Sequence, residues 1–485
     1  MSVQSVGQLS LPFFGSRAIE IEVSPAPLTS DAGLLAVREF DERICFTEQF
    51  RSALRDTRVP QLTTQTLLGM VRQRIYGILA DYEDQNDHDT LRSDPVFKLI
   101  ADRLPEDGDL ASQPTLSRFE NAVTIADLWR LRDVFIDLFL QSFAAPPTHL
   151  TLDLDAFDDE AHGHQQLIMF HGYYEQYQYL PIAITCAEND AVVLVGLRHG
   201  TCHAALGADD DLRYLMQRLR EAWPDVQIHV RGDSAFGVPW MYDVCEELRL
   251  WYTFGLSMNP RVKKLSDSLL EQAVLQYTQT GQPQRLFLPA EYQADSWPVA
   301  RTIVIKVEAH AQGTNRRAVV TNRPGWLIYP QACYDEYACR GESENRNREL
   351  KCELQSDRLS DHRFLANFFR LYLHAAALNL LVRLRQATAL PERTLGQLGL
   401  PTSLPAAALD EPQRRKFFQR RRDQDPLREG FACTWRTRLI KVAAEVLSRA
   451  RRVIVRLSSS WPHLEHLLRV SRAVLQVTPL PSPSG

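Results

Sequence analysis

Acidic side chains occur at three places in this sequence where their type is costly unless they do chemistry. In Leu152-Asp153-Leu154-Asp155-Ala156-Phe157 two carboxylates lie two residues apart in an alternating run. On a strand, that spacing puts both acids on one face and the leucines on the other. Asp is a poor strand former whose charge is expensive to bury, so acids against a sheet face call for a metal ion, unless the strand end simply faces water. A further acid, Asp233, ends the run Val226-Gln227-Ile228-His229-Val230-Arg231-Gly232-Asp233. There Gly232 permits a close approach, at the strand end where a parallel sheet presents its site. The tripeptide Arg231-Gly232-Asp233 would act in adhesion only on an exposed loop, and this one ends an apolar strand. Tyr337, Arg340, Glu344 and Lys351 fall at relative positions 0, 3, 7 and 14. A helix of about 3.6 residues per turn brings such positions onto one face. Gly341 weakens that helix and puts Tyr337 and Arg340 on its approach. The plain alternative is a charged helix face bathed in solvent.

Positioning these groups requires a sheet. Residues 29–147 read as helical, with apolar positions at helical spacing around Ala32–Val37 and Leu67–Val71, and with Thr29 or Ser30 as the first cap. After Pro146-Pro147 the period changes to that of strands, at 149–155, 180–186, 192–197, 226–230 and 251–256, with a helix over 209–223 between the third and the fourth. Such an order predicts a mixed sheet flanked by helices. A β-rich segment follows, with paired strands at 301–307 and 317–321, and helical patterning returns over 337–385. The expected fold class is α/β, divided into an N-terminal arm (1–28), a helical domain (29–147), a core (148–260 and 330–388), a β-rich insertion (261–329), a linker (389–412) and a basic helical C-terminal region (413–478). That linker would detach the C-terminal region.

With 485 residues, 45% hydrophobic and 24% charged, the chain has the composition of a multi-part globular protein. Its eight cysteines are scattered, without the close pairs of a structural zinc site, and reduced thiols are expected. The N-terminus lacks the basic start and apolar core of an export signal, so a cytoplasmic location is expected. The apolar stretch Leu371–Val382 is too short to span a bilayer and contains His374 and Asn379, so it reads as a buried helix with no membrane partner. A net charge of -5 would argue against nucleic acid, but the average hides an asymmetry. Asp81–Leu110 holds ten acids against three bases, whereas Glu411–Ser460 holds fourteen bases against five acids.

The spacing of Tyr337, Arg340, Glu344 and Lys351 matches the Tyr-(2)-Arg-(3)-Glu-(6)-Lys signature of a large group of prokaryotic insertion-sequence transposases. Further stretches, Thr29-Ser30, Tyr82–Asp89, Leu110–Thr115 and His162-Gly163-His164-Gln165, resemble the insertion-sequence family numbered thirteen-eighty, over roughly residues 28–462. The resemblance implies a ribonuclease H-like mixed sheet and catalytic carboxylates of the DDE type at Asp155, Asp233 and Glu344. Phe157 stands where that family has Thr, which leaves Asp153 open as the alternative first acid. It further implies DNA contacts from Tyr337, Arg340 and Lys351, and two Mg²⁺ ions, replaceable by Mn²⁺, held by the three carboxylates. Hard oxygen donors suit such ions, which activate both the attacking and the leaving oxygen in phosphodiester chemistry. The expected partners are terminal inverted repeats, target DNA and a second copy of the chain, in a prokaryotic cytoplasm near the nucleoid. Two other readings compete: a DNA-binding protein without chemistry, and a metal-dependent nuclease that joins nothing. Trp297, in the β-rich segment, is either a stacking partner for an unpaired base or the packing centre of that segment.

Overall fold

The computed structural model describes residues 9–11, 17, 19–21, 26–161, 163–325, 329–388, 396, 399 and 431–481. The expected linker 389–412 lies outside the described residues except at two positions, as do residues 413–430, most of the 1–28 arm, and His162.

Strands are numbered in chain order. β1 (Leu9–Leu11) and β2 (Ile19–Ile21) pair antiparallel, and β3 (Leu28–Thr29) leads into the helices. Residues 34–140 carry seven α-helices, from Leu34–Ile44 to Ile125–Leu140. Local chemistry sets several of their starts. Thr124 and Asp127 cap each other reciprocally at the last helix, and Asp94 accepts from the Val96 and Phe97 amides at 2.8 and 3.0 Å. The cap expected at Thr29 or Ser30 is not used. Thr29 is held in β3, its hydroxyl donates to Asp94 Oδ1 at 3.1 Å, and the first helix starts after Gly33.

The strands that follow build the sheet that carries the acids. β4 (His149–Ala156) comes first, and β5 (Asp159–Glu160), β6 (Met169–His171) and β7 (Gln176–Tyr179) form a small side sheet. β8 (Ile182–Cys186), β9 (Val192–Gly196), β10 (Gln227–Gly232) and β11 (Trp251–Leu256) then complete the part foreseen from the sequence. β10 runs parallel to both β4 and β11, whereas β8 is antiparallel to both β4 and β9. On one face Leu150, Leu152, Leu154, Ile228 and Val230 pack with Leu212, Leu215, Met216 and Leu219 of the helix Ala208–Ala222. The opposite face carries the charged residues of β4 and β10.

The segment 261–329, expected as a separate insertion, instead extends this sheet. β12 (Gln284–Tyr292), β13 (Arg301–His310) and β14 (Gly313–Thr321) add antiparallel to β11, giving the eight-stranded order β12-β13-β14-β11-β10-β4-β8-β9. The reason lies in β13, where Ile303, Val304, Ile305 and Val307 are all buried, so both faces of the strand need cover that a free ribbon lacks. Trp297 is 6% exposed, edge-on to Tyr242 and Tyr292 at 5.3 and 5.4 Å, so it packs the protein and offers no surface for a base.

The helix Phe364–Thr388 is long and apolar enough to cross a membrane, yet 89% of its most apolar window is buried within the fold. It covers the free edge of the sheet. Asn379 accepts from the Val192 amide and donates to the Val192 carbonyl, both at 2.8 Å, so its side chain stands in for the missing neighbour of β9.

The C-terminal region is neither wholly helical nor detached. β15 (Ala444–Arg449) and β16 (Arg452–Leu457) form a hairpin, β15 pairs with β3, and a helix follows at Leu464–Leu475. β-branched Val446, Val453 and Val455 favour the hairpin, and Trp435, Leu439, Val446 and Val470 share one core with the N-terminal helices. The tightest point of that junction is Gly33. A Cβ there would lie 1.8 Å from the Leu439 carbonyl oxygen, and Gly33 N donates to Ile440 O at 3.2 Å. Gly33→Ala should therefore destabilise the protein by about 1–3 kcal/mol or more, because backbone rather than a pliable side chain must yield. A urea midpoint equal to that of the parent would refute this.

Candidate active site

Two adjacent parallel strands carry the aspartates. In the register of β4 and β10, Asp153 lies beside Arg231 and Leu154 beside Gly232; Asp155 is the next residue of β4 and Asp233 the first residue beyond β10, near enough for its charge to act on Asp155. The deeper pair is neutral. Arg231 Nε and Nη2 donate to the two Asp153 carboxylate oxygens at 2.7 and 2.8 Å, and both side chains are 2% exposed. Asp153 is thus occupied by a fork-shaped ion pair. One step further out, the neighbours are both acids. Like charges held close together repel, and a proton or a cation relieves them.

Asp155 shows the consequence. Its carboxyl is pushed above the usual carboxylate range by burial and by the charge of Asp233, against the opposing pull of Arg340 and Asn347. Asn347 Nδ2 donates to Asp155 Oδ2 at 2.6 Å, and Arg340 Nη2 lies 3.1 Å from Asp155 Oδ1. Asp233 Oδ1 accepts from the Ala235 amide at 2.9 Å.

The signature residues come from a broken helix. The helix Pro330–Ala338 carries Tyr337, the chain turns at Cys339 and Arg340, and the helix Gly341–Arg348 carries Glu344 before a five-residue π-type turn at Glu349–Glu353. Glycine at 341 accounts for the break. Tyr337 enters the site over Gly255 of β11, where a Cβ would stand 3.0 Å from the Tyr337 hydroxyl and 2.7 Å from the Ser234 amide. Its phenol is pushed up, first by burial and then, against Arg340, by the negative charges of Asp233 and Glu344. The helix itself is pinned from behind. Glu349 is buried and pairs with Arg346 and, at 2.6 Å, with Arg385, which makes it a structural acid, whereas the Glu344 side chain is 65% exposed.

Arg340 thus touches Asp155 directly and Tyr337 lies over Gly255 beside the Asp233 backbone, whereas Lys351 is drawn aside to Asp158, with Nζ 2.6 Å from Oδ1. Glu344 meets the pair through Arg340, whose guanidinium is 3.1 Å from both Glu344 Oε1 and Asp155 Oδ1. Among the described residues no three of His, Cys, Asp and Glu converge to hold a metal ion. Asp155 and Asp233 nevertheless fit a divalent cation by their hard oxygen donors and their mutual repulsion, and the arginine holds the third carboxylate apart from them.

Asn347, Asp158 and the Asp153–Arg231 pair were missed in the sequence. Asn347 lies one helical step from Glu344, a spacing that could have marked it. Arg231 carried no such signal, because its partner is set by strand register.

No curated protein matches this chain. A family model described as transposase DDE domain group 1 matches residues 11–400, a span that holds every strand of the central sheet, both aspartates and the helix with Glu344, and on that match the chain belongs to the family of group 1 DDE-domain transposases.

Proposed function

We propose that this protein is a transposase that cuts at the ends of an insertion sequence and joins the freed 3′-hydroxyl ends to target DNA. Asp155, Asp233 and Glu344 are its catalytic carboxylates, and two Mg²⁺ ions, replaceable by Mn²⁺, are its cofactor. The observation that carries the reading is the acid–acid neighbour pair at the ends of two parallel strands, beside a cationic group that also reaches Glu344. The order β11-β10-β4-β8-β9, in which only β8 runs opposite to the other four, supports a ribonuclease H-like core.

Divalent ions, when bound, offset the charge of the scissile phosphate and lower the pKa of the attacking hydroxyl. The protein's own groups do the rest. Asp155 and Asp233 supply the oxygen ligands, and Asn347 orients Asp155. Arg340 has the planar fork that suits a phosphate, and when it turns to the DNA backbone it releases Asp155 and Glu344 together. Tyr337 and Lys351 add backbone contacts. The exposed arginines 449, 451 and 452, around the turn of the C-terminal hairpin, extend the basic surface, and the helices of residues 29–147 read the terminal repeats. The enzyme works as a homodimer on paired ends, in the cytoplasm and bound to the nucleoid.

Incubating the protein with Mg²⁺, a supercoiled plasmid and a DNA fragment spanning the flanks of its coding region should yield both cut and joined products. Cutting without joining would favour a nuclease, and binding without cutting a protein that has lost its chemistry. Arg340→Met should raise the affinity of the DNA-free protein for Mn²⁺ on the order of tenfold, since a fixed positive charge leaves the carboxylates. The change would be read by Mn²⁺ paramagnetic resonance. Unaltered affinity would show that the guanidinium does not compete with the metal.

A further inference from the structure

Immediately beyond the first aspartate the chain builds a projection that the cleavage reading leaves unused. The hairpin of β6 and β7 runs Met169-Phe170-His171-Gly172-Tyr173-Tyr174-Glu175-Gln176-Tyr177-Gln178-Tyr179. Its rings point outward: Tyr173 is 84% exposed, Tyr177 60% and Phe170 50%. Phe170 and Tyr177 are cross-strand neighbours with ring centroids 5.5 Å apart, and Tyr174 lies 5.0 Å from both His171 and Tyr173. One exposed ring is ordinary, but several gathered on one small hairpin mark a contact surface.

The hairpin is rooted in the site. Gln176 Nε2 donates to Asp158 Oδ2 at 3.2 Å, and the other oxygen of Asp158 holds Lys351. Asp158 lies three residues after Asp155. At the tip, the Tyr174 phenol is pushed above its ordinary value by burial and then by Asp158, Tyr173, Asp233 and Asp155, so the tip feels the charge of both catalytic aspartates.

Resting on the reading of this site as a DNA-cutting centre, we propose that the hairpin 169–179 is a stacking platform for unpaired nucleobases beside the scissile bond. Its composition selects that ligand. The segment contains no Lys or Arg, so it does not grip phosphates, which Arg340 and Lys351 serve instead. Tyrosines offer flat π-faces with a water-tolerant hydroxyl, and stacking on them is indifferent to base identity. A paired duplex hides its base faces, so the platform acts only on melted or frayed ends.

The test uses two probes: a paired duplex, and the same duplex ending in a short unpaired fork that contains the fluorescent base aminopurine. The parent protein should bind the fork more tightly and quench its fluorescence. The double variant Tyr173→Ala and Tyr177→Ala should lose roughly tenfold or more of its fork affinity while binding the paired duplex unchanged. Tyr173→Phe with Tyr177→Phe should keep the fork preference, because the π-faces remain. Retained quenching and fork preference in the alanine variant would overturn the proposal. So would a change in its sedimentation with fork preference intact, which would assign the rings to contact between two copies. Failure of the parent to bind either probe would overturn the cleavage reading and this proposal together, whereas equal binding of both probes by the parent would overturn the platform alone.

Discussion

Asp155→Asn and Asp233→Asn should each abolish Mg²⁺-dependent DNA cutting, by a thousandfold or more on the order-of-magnitude scale of lost metal-ion catalysis, while leaving the protein at least as stable as its parent. Both halves follow from the neighbour relation of these acids. In the folded protein the Asp155 carboxyl is held above its ordinary range by burial and by Asp233. A raised folded-state pKa contributes stability that is fully present below the unfolded value and is lost as the pH rises through the folded value, so above that value the Asp155 carboxylate works against the fold. Neutralising either member removes that repulsion. Thermal unfolding with and without Mg²⁺ would show it: Mg²⁺ should raise the midpoint of the parent and leave both variants unmoved. Cutting retained in Asp233→Asn would remove this residue from the chemistry.

The opposite behaviour is expected one step deeper in the same strands. Arg231→Met strands the Asp153 carboxylate in a site where both partners are 2% exposed, and breaking such a buried pair from one side costs about 3–5 kcal/mol. The loss also frees the Glu336 carbonyl, to which Arg231 Nη1 donates at 2.6 Å. Replacing both partners with apolar residues, as in Asp153→Leu with Arg231→Met, should recover most of that stability, because no charge is left unpaired. Urea titration of the single and double variants gives the comparison. If the single variant unfolded at the parent's midpoint, the pair would be irrelevant to the fold. Asp153 and Asp155, two residues apart on one face, should thus separate by experiment: the first is expected to govern stability and the second cutting.

What the sequence revealed was local. Alternation around Leu152 and Leu154 gave the strand and the face of its acids, and the spacing from Tyr337 to Lys351 gave helical structure there, but not the break at Cys339 and Arg340 or the turning of Lys351 to Asp158. What it hid was pairing at a distance. Nothing in Arg301–Thr321 says that its strands continue the central sheet through β11, because periodicity reports which faces are apolar and not which edge a strand joins. The C-terminal hairpin escaped for the same reason, its basic side chains masking the Val446, Val453 and Val455 that favour strands. Trp297 was ambiguous by type alone and is settled by the tyrosines around it. The aromatic hairpin was overlooked because its strands are only three and four residues long, too short for alternation to register, and because Phe170, Tyr173 and Tyr177 face outward by tertiary placement that periodicity does not report.

The pairing of β3 with β15 ties Thr29 to Ala444, with about four hundred residues between them. Because a contact cannot form before both of its residues exist, this pairing must wait until synthesis has passed residue 444. A polypeptide interrupted before that point would leave the first helices without the wall that Trp435, Leu439, Val446 and Val470 supply, with apolar surface open to water and to other unfinished chains.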